Sequence, residues 1–282
     1  MSENAEALFS LILLAPLLTF YLLFKRHWAD KDLLRAFYGG IFAGVGAIVV
    51  TRIVYLPVEH FLGVDLRSFI SGPRSWWVTL ITSIGIIGFV EESLKTAGGL
   101  LASHYTEFIK RSTIIFMSLA GCSLGFSLLE NIQYYLLFGP SVVLPRIFIS
   151  SSAHLFFSSA FVVVAAPAFA RKKGDSATSL RILAGIVAAA MIHGIFDFIV
   201  FHFDVQAVSG LIISLISLFW IGIYEAWLAV LKLDTPDEVK LSTCSGCGAF
   251  SLDRVRFCGF CGARVLNINR RNTLKASPLK EL

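Results

Sequence analysis

At 282 residues, 56% apolar and only 15% charged, the chain departs from soluble domains, which carry about 25% charged and roughly 45–50% apolar residues. Its mean hydropathy is +0.76, and the apolar residues gather in runs long enough to cross a bilayer. Secreted disulfide scaffolds, collagen-like chains, disordered chains and ordinary cytosolic domains are thereby excluded. The net charge of +5 sits mostly at the end: 9 Lys/Arg against 5 Asp/Glu from Lys232 onward, 15 against 14 before it. Such a tail suits anionic lipid or another acidic partner.

Hydropathy predicts an all-α fold, a polytopic transmembrane helix bundle of about seven spans: Leu8–Phe24, Phe37–Leu56, Trp76–Ser103, Ser112–Phe138, Ile147–Ala170, Leu180–His202 and Val208–Leu231. Glu3 and Glu6 make the N-terminus acidic where a signal peptide would be positive, so no cleavable leader is expected. The first, third and fifth connections hold Lys25, Arg26, Lys31 and Arg35, then Lys110 and Arg111, then Arg171, Lys172, Lys173 and Arg181. The second and fourth hold only Arg67, Arg74 and Arg146, and the sixth holds none. The positive-inside rule then places the N-terminus outside and the C-terminus in the cytoplasm, most simply of a prokaryotic cell. Trp76 and Trp77 suit an outer interfacial belt and Trp28 an inner one.

Ionisable groups in mid-membrane cost about 2.5–3.5 kcal/mol each on insertion scales and persist where they face a bundle interior. In Gly88-Phe-Val-Glu91-Glu92-Ser-Leu-Lys95, the lysine lies one turn from both acids. One acid can hold a proton while the other is ionised, as acid–base chemistry requires. The fourth span carries Phe126, Glu130 and Asn131, with Gly121 and Gly125 as a pair that permits close helix approach. His154 lies in the fifth span. His193 and Asp197 lie one turn apart in the sixth, so the aspartate is placed to orient the imidazole. Counted at about 1.5 Å per residue, Glu91 and Glu92 fall nearer the inner half, and Glu130, His154, His193 and Asp197 fall in the middle or outer half. A common site therefore requires the third span to begin with an interfacial stretch or to tilt. Arg52 and Glu225, close to span ends, are expected to snorkel. Cys122, Gly98 and Gly99 read as packing positions.

The order Glu91-Glu92-x-x-Lys95, Phe126-x-x-x-Glu130-Asn131, His154, His193-x-x-x-Asp197, one motif per successive span, resembles the PrsW family of intramembrane proteases. The resemblance spans 1–231, and the wider clan is similar to the prenyl-protein CAAX endopeptidases. It implies an intramembrane endopeptidase acting on a membrane-embedded protein, an anti-sigma factor for the founding bacterial members. It also implies that Glu91, Glu92, Lys95, Glu130, His154, His193 and Asp197 form the catalytic set. Glu91 or Glu92 would activate water. His154 and His193 would polarise the scissile carbonyl or, with Glu130, hold a metal, so metallo- and glutamic-type hydrolysis both remain open. Two other readings fit the polar residues: a proton-coupled transporter, which would favour inverted repeats that are not evident here, and a non-catalytic membrane scaffold.

After a linker at 232–243, Cys244-Ser-Gly-Cys247-Gly and Cys258-Gly-Phe-Cys261-Gly form two knuckles separated by 248–257. Four thiolates at this spacing predict a structural zinc site resembling a zinc ribbon, 244–266, with Phe250, Val255 and Phe257 as a small core. A reducing cytoplasm suits such ligation. Arg254, Arg256 and Arg264 give no clear nucleic-acid signal, and a protein partner is the expectation. The basic segment 267–282 reads as disordered.

Overall fold

The computed structural model describes residues 17–22, 24–25, 30–72, 75–104, 111–139, 146–170, 176–202, 209–234, 241–244, 246–247, 250–252, 258 and 261–263. It divides into two compact units, Met1–Asp234 and Thr235–Leu282. The first is helical: α1 Lys31–Leu62, α2 Leu66–Ser71, α3 Trp76–Thr82, α4 Phe89–His104, α5 Ser112–Phe138, α6 Ser151–Ala170, α7 Ser176–His202 and α8 Ser209–Asp234. Two π-helical segments interrupt the series, Ser83–Gly88 between α3 and α4 and Arg146–Ser150 leading into α6.

Among the described residues, six helices are long and apolar enough to cross a membrane: Lys31–Leu62, Trp76–His104, Ser112–Phe138, Arg146–Phe169, Thr178–His202 and Leu215–Asp234. They answer to the second through seventh expected spans, and this is an integral membrane protein. Most of Leu8–Phe24 lies outside the described residues, although 17–22 are helical. Trp28, 267–282, Val255 and Phe257 lie outside them as well. Helix α1 runs beyond the expected span at both ends because its caps lie farther out. The Asp30 carboxylate accepts from the amides of Asp32 at 3.0 Å and Leu33 at 3.4 Å, and Gly63 ends the helix at φ 70°.

Lipid offers helices no hydrophobic reason to associate, so van der Waals contact between closely spaced backbones has to supply it. Gly40 and Gly44 of α1 lie against the Ser118 and Cys122 carbonyls of α5, and Gly121 and Gly125 of α5 lie against the Phe37 and Ile41 carbonyls of α1. A Cβ at any of the four would collide with backbone. The sequence pair Gly121/Gly125 thus meets a second pair, Gly40/Gly44, on the facing helix. Gly98 and Gly99 pack against Ala43 and Leu119 as expected, and Cys122 is fully buried. On the far side, Gly194 of α7 fits against the Ile84 backbone, and Gly88 against the Ala190 carbonyl. This second seam brings α7 against the third span close to both acidic residues.

An aromatic cluster ties further helices together: Phe20 stacks on Phe37 at 5.1 Å, and Trp227 lies 5.3 Å from both Phe24 and Phe116. Helix α5 begins without a side-chain cap of its own. Asp234, the last residue of α8, accepts from the Ser112 amide at 2.6 Å and the Thr113 amide at 2.7 Å. One helix end thereby satisfies the orphan donors of another. Arg111 pairs with Asp30 at 2.9 Å.

In the second unit, β1 Leu241–Thr243 pairs antiparallel with β2 Phe250–Leu252. The first strand thus ends just before Cys244.

Candidate active site

Six of the seven membrane-site residues named from sequence are buried together, and the seventh, Asp197, borders them. The third span contributes Glu91, Glu92 and Lys95 from the first two turns of α4. The π segment ahead of them packs more residues into each turn than an α-helix. A second π segment precedes His154, so the two nearly offset, and the contact of Glu92 with His193 at 2.8 Å is what sets acids and histidines level.

Glu92 and Lys95 form the floor, with side chains 1% and 0% exposed. Lys95 Nζ donates to Glu92 Oε1 at 2.5 Å, lies 2.9 Å from His154 Nδ1, and sits 4.7 Å from the Phe126 ring centroid. A buried ammonium needs such partners, because leaving it unpaired would cost several kcal/mol.

Each histidine has one nitrogen held by a carboxylate. His193 Nδ1 lies 2.8 Å from Glu92 Oε1, and His154 Nε2 lies 2.9 Å from Glu130 Oε2. Ionised carboxylates only accept, so paired with them these two nitrogens carry hydrogen; on His154 the other nitrogen, Nδ1, accepts from the Lys95 ammonium, which can only donate. The second nitrogen of His193, Nε2, faces Glu91 Oε2 at 3.8 Å and Asp197 Oδ2 at 3.5 Å. Glu92 is therefore the closer orienting group for His193, although Asp197 is the nearer residue along the helix. The ring of Phe157 stacks on His193 at 4.7 Å, and the two imidazoles meet edge to face at 5.3 Å.

Glu91 is held differently. The Tyr55 hydroxyl from α1 reaches its Oε1 at 3.2 Å and the Ile87 carbonyl at 3.4 Å. Glu91 Oε2 is buried with no hydrogen-bond partner. Ligand atoms of Glu91, His154 and His193 lie within 4.8 Å of one another, close enough to hold a metal ion. The geometry brings Glu91, and not Glu130, together with both histidines. Two imidazoles and one carboxylate also form a common donor set for catalytic zinc, which leaves a coordination position open.

The rim is more exposed than the floor, with Asp197 and Arg146 side chains 15% and 17% exposed. Arg146 counted only as a loop charge in the sequence, yet it pairs with Glu130 at 2.8 Å. Asn131 donates to Ser151 at 3.0 Å. Tyr55 carried no signal, being a lone tyrosine in an apolar run. Arg52 does not simply snorkel: its guanidinium donates to Gln133 at 2.9 and 3.3 Å. Glu225 is exposed.

The four tail cysteines form a second metal-capable cluster. Cys244 and Cys261 sulfurs lie 3.6 Å apart, and Cys247 and Cys258 sulfurs 3.7 Å apart. Zinc–sulfur bonds of about 2.3 Å in a tetrahedron place sulfurs about 3.8 Å apart. The Gly246 amide points at Cys244 Sγ at 3.4 Å, and Gly262 takes a positive φ of 72° in the second knuckle.

A family model described as PrsW family intramembrane metalloprotease matches residues 31–223. Among curated proteins and solved structures, none matches the chain.

Proposed function

The chain belongs to the PrsW family of intramembrane metalloproteases, and on that premise we propose that it hydrolyses a peptide bond of a membrane-embedded protein with Glu91 as the residue that meets the reacting water. The unpartnered, buried Oε2 of Glu91 beside two carboxylate-held histidines carries this reading. Glu92 Oε1 is committed to Lys95 and His193, which leaves it a poorer base. His154 and His193 are the residues that would hold the family's metal, within reach of Glu91, whose Oε2 stays free for the water. When bound, such an ion supplies Lewis-acid polarisation of the scissile carbonyl and acidifies water. Glu91 takes the proton as the water oxygen attacks the carbonyl carbon, and the C–N bond breaks as the proton passes to the leaving nitrogen. Tyr55 fixes the other Glu91 oxygen, Glu92 and Glu130 hold the imidazoles, and Lys95 neutralises the floor.

Family membership favours this chemistry over a proton-coupled transporter or a non-catalytic scaffold. The sequence charge pattern supports an N-terminus outside and a C-terminus in the cytoplasm of a prokaryotic cell. The Cys244/Cys247/Cys258/Cys261 cluster there serves as a structural zinc ribbon that meets a protein partner.

The test is reconstitution of the full chain with a panel of single-span transmembrane reporters tagged at both ends. Wild-type protein yields paired fragments from at least one reporter, and Glu91→Gln lowers that rate by about 10²-fold or more while inserting and melting as wild type. Cleavage by Glu91→Gln at the wild-type rate, or no reporter cleaved by wild type, overturns the reading.

A further inference from the structure

The Arg146 side chain makes four contacts at once from the first position of the π segment. Its Nη2 reaches Glu130 Oε2 at 2.8 Å and Ser150 Oγ at 3.2 Å, and its Nε reaches Asn131 Oδ1 at 3.2 Å. Its Cζ lies 3.4 Å from the centroid of the Tyr134 ring. Glu130, Asn131 and Tyr134 all belong to α5 and are buried. A planar fork with five donors suits this arrangement, and a lysine ammonium could not reproduce it.

Glu130 Oε2, the oxygen that Arg146 grips, is also the oxygen on His154 Nε2. Gripping it fixes where that oxygen lies and keeps a carboxylate facing the imidazole. The imidazole then carries its hydrogen on Nε2, and its Nδ1 lone pair accepts from Lys95 Nζ, 2.9 Å away. We propose that Arg146 is a positioning residue which, through Glu130, fixes the tautomer and orientation of His154, with Nε2 held by Glu130 and Nδ1 by Lys95 at the floor of the site. The consequence for catalysis rests on the peptidase reading above, but the tautomer itself does not.

Two readouts separate these. In full-length protein labelled with 15N-histidine, the His154 signals are identified by their loss in His154→Ala. Wild type shows hydrogen on Nε2 and none on Nδ1. Arg146→Ala shifts His154 toward a mixture of tautomers, and added guanidinium restores the wild-type pattern. Arg146→Lys, the variant that keeps the charge, gives an intermediate pattern and remains informative if the alanine variant does not fold. On a cleaved reporter, Arg146→Ala lowers kcat on the order of tenfold with KM little changed, and has less than about a twofold effect once Glu130→Gln is present. A wild-type His154 protonated on Nδ1, a His154 pattern indifferent to both Arg146 substitutions, or full additivity with Glu130→Gln overturns the proposal. The expected spectra without any reporter cleavage would leave the clamp standing and remove the peptidase reading.

Discussion

Cys244 and Cys261 lie 17 positions apart in the chain and meet at 3.6 Å, whereas Glu92 and His193 lie 101 positions apart and meet at 2.8 Å. The cysteine cluster is built by local turns, so its chemistry is written in its spacing. The membrane cluster is built by helix packing, and its ligands are no better placed than the seams that hold α4, α5, α6 and α7 together. Functionally the two differ in the same direction. Four thiolates close a coordination shell and brace a fold, while two imidazoles and a carboxylate leave a position open for chemistry. A small local module can tolerate error elsewhere in the chain, but the membrane site depends on glycines that carry none of its chemistry.

The largest effect expected from that dependence falls on the α1–α5 seam. Gly44→Leu drives a side chain into the Cys122 carbonyl and the Phe126 amide, and should destabilise the bundle by about 3 kcal/mol or more. A Cβ at Gly46 on the same helix meets no atom within 4 Å, so Gly46→Leu should melt as wild type in detergent. Equal melting of the two variants would show that close backbone approach does not hold the site.

Within the site itself, Tyr55→Phe removes one hydrogen bond to Glu91 and leaves the ring in place. Loss of about 0.5–1.5 kcal/mol predicts a cleavage rate lowered by roughly 2–13-fold with stability nearly unchanged. An unaltered rate would mean that Glu91 is positioned without α1.

A smaller effect is expected at the membrane boundary. Burial opposes charge on Asp30, but the Arg111 guanidinium and the Asp32 and Leu33 amides outweigh it and hold its carboxyl below the ordinary value of 3.8. A carboxylate with a lowered pKa stabilises the fold above its ordinary value and loses that contribution as pH falls below it. The pair is partly exposed, with Arg111 39% and Asp30 31% accessible, so about 0.2–1 kcal/mol is at stake. Asp30→Asn should melt slightly below wild type at neutral pH, and the two curves should converge below pH 3.8. A gap that persists in acid would locate the effect elsewhere.

Much of the bundle was legible because long apolar runs carry their own boundaries. The second through seventh spans stood in the sequence within several residues, and the fourth matched at both ends, Ser112 and Phe138. The chemistry-bearing residues were legible too, since a charge in mid-span has few explanations. What the sequence could not give was who meets whom. Asp197 sits one turn from His193, so helical spacing pointed to it, while the closer carboxylate, Glu92, comes from another helix. Depth counted at a constant rise separated Glu91 from the histidines, and only the packing of α4 against α7 shows them level. Arg146 resembled any loop arginine before its four partners were visible. The Gly40/Gly44 pair was readable by the same rule as Gly121/Gly125, but its facing partner becomes evident only when both helices are in place.

Metal stoichiometry of the purified full chain tests the central claim most directly, read on wild type, on a Cys258→Ser/Cys261→Ser variant, and on a His154→Ala/His193→Ala variant. The account predicts two bound ions in wild type, one lost with the cysteines and the other lost with the histidines. A single ion that disappears with the cysteines and is untouched by the histidine substitutions would contradict a metal centre at His154 and His193 beside Glu91.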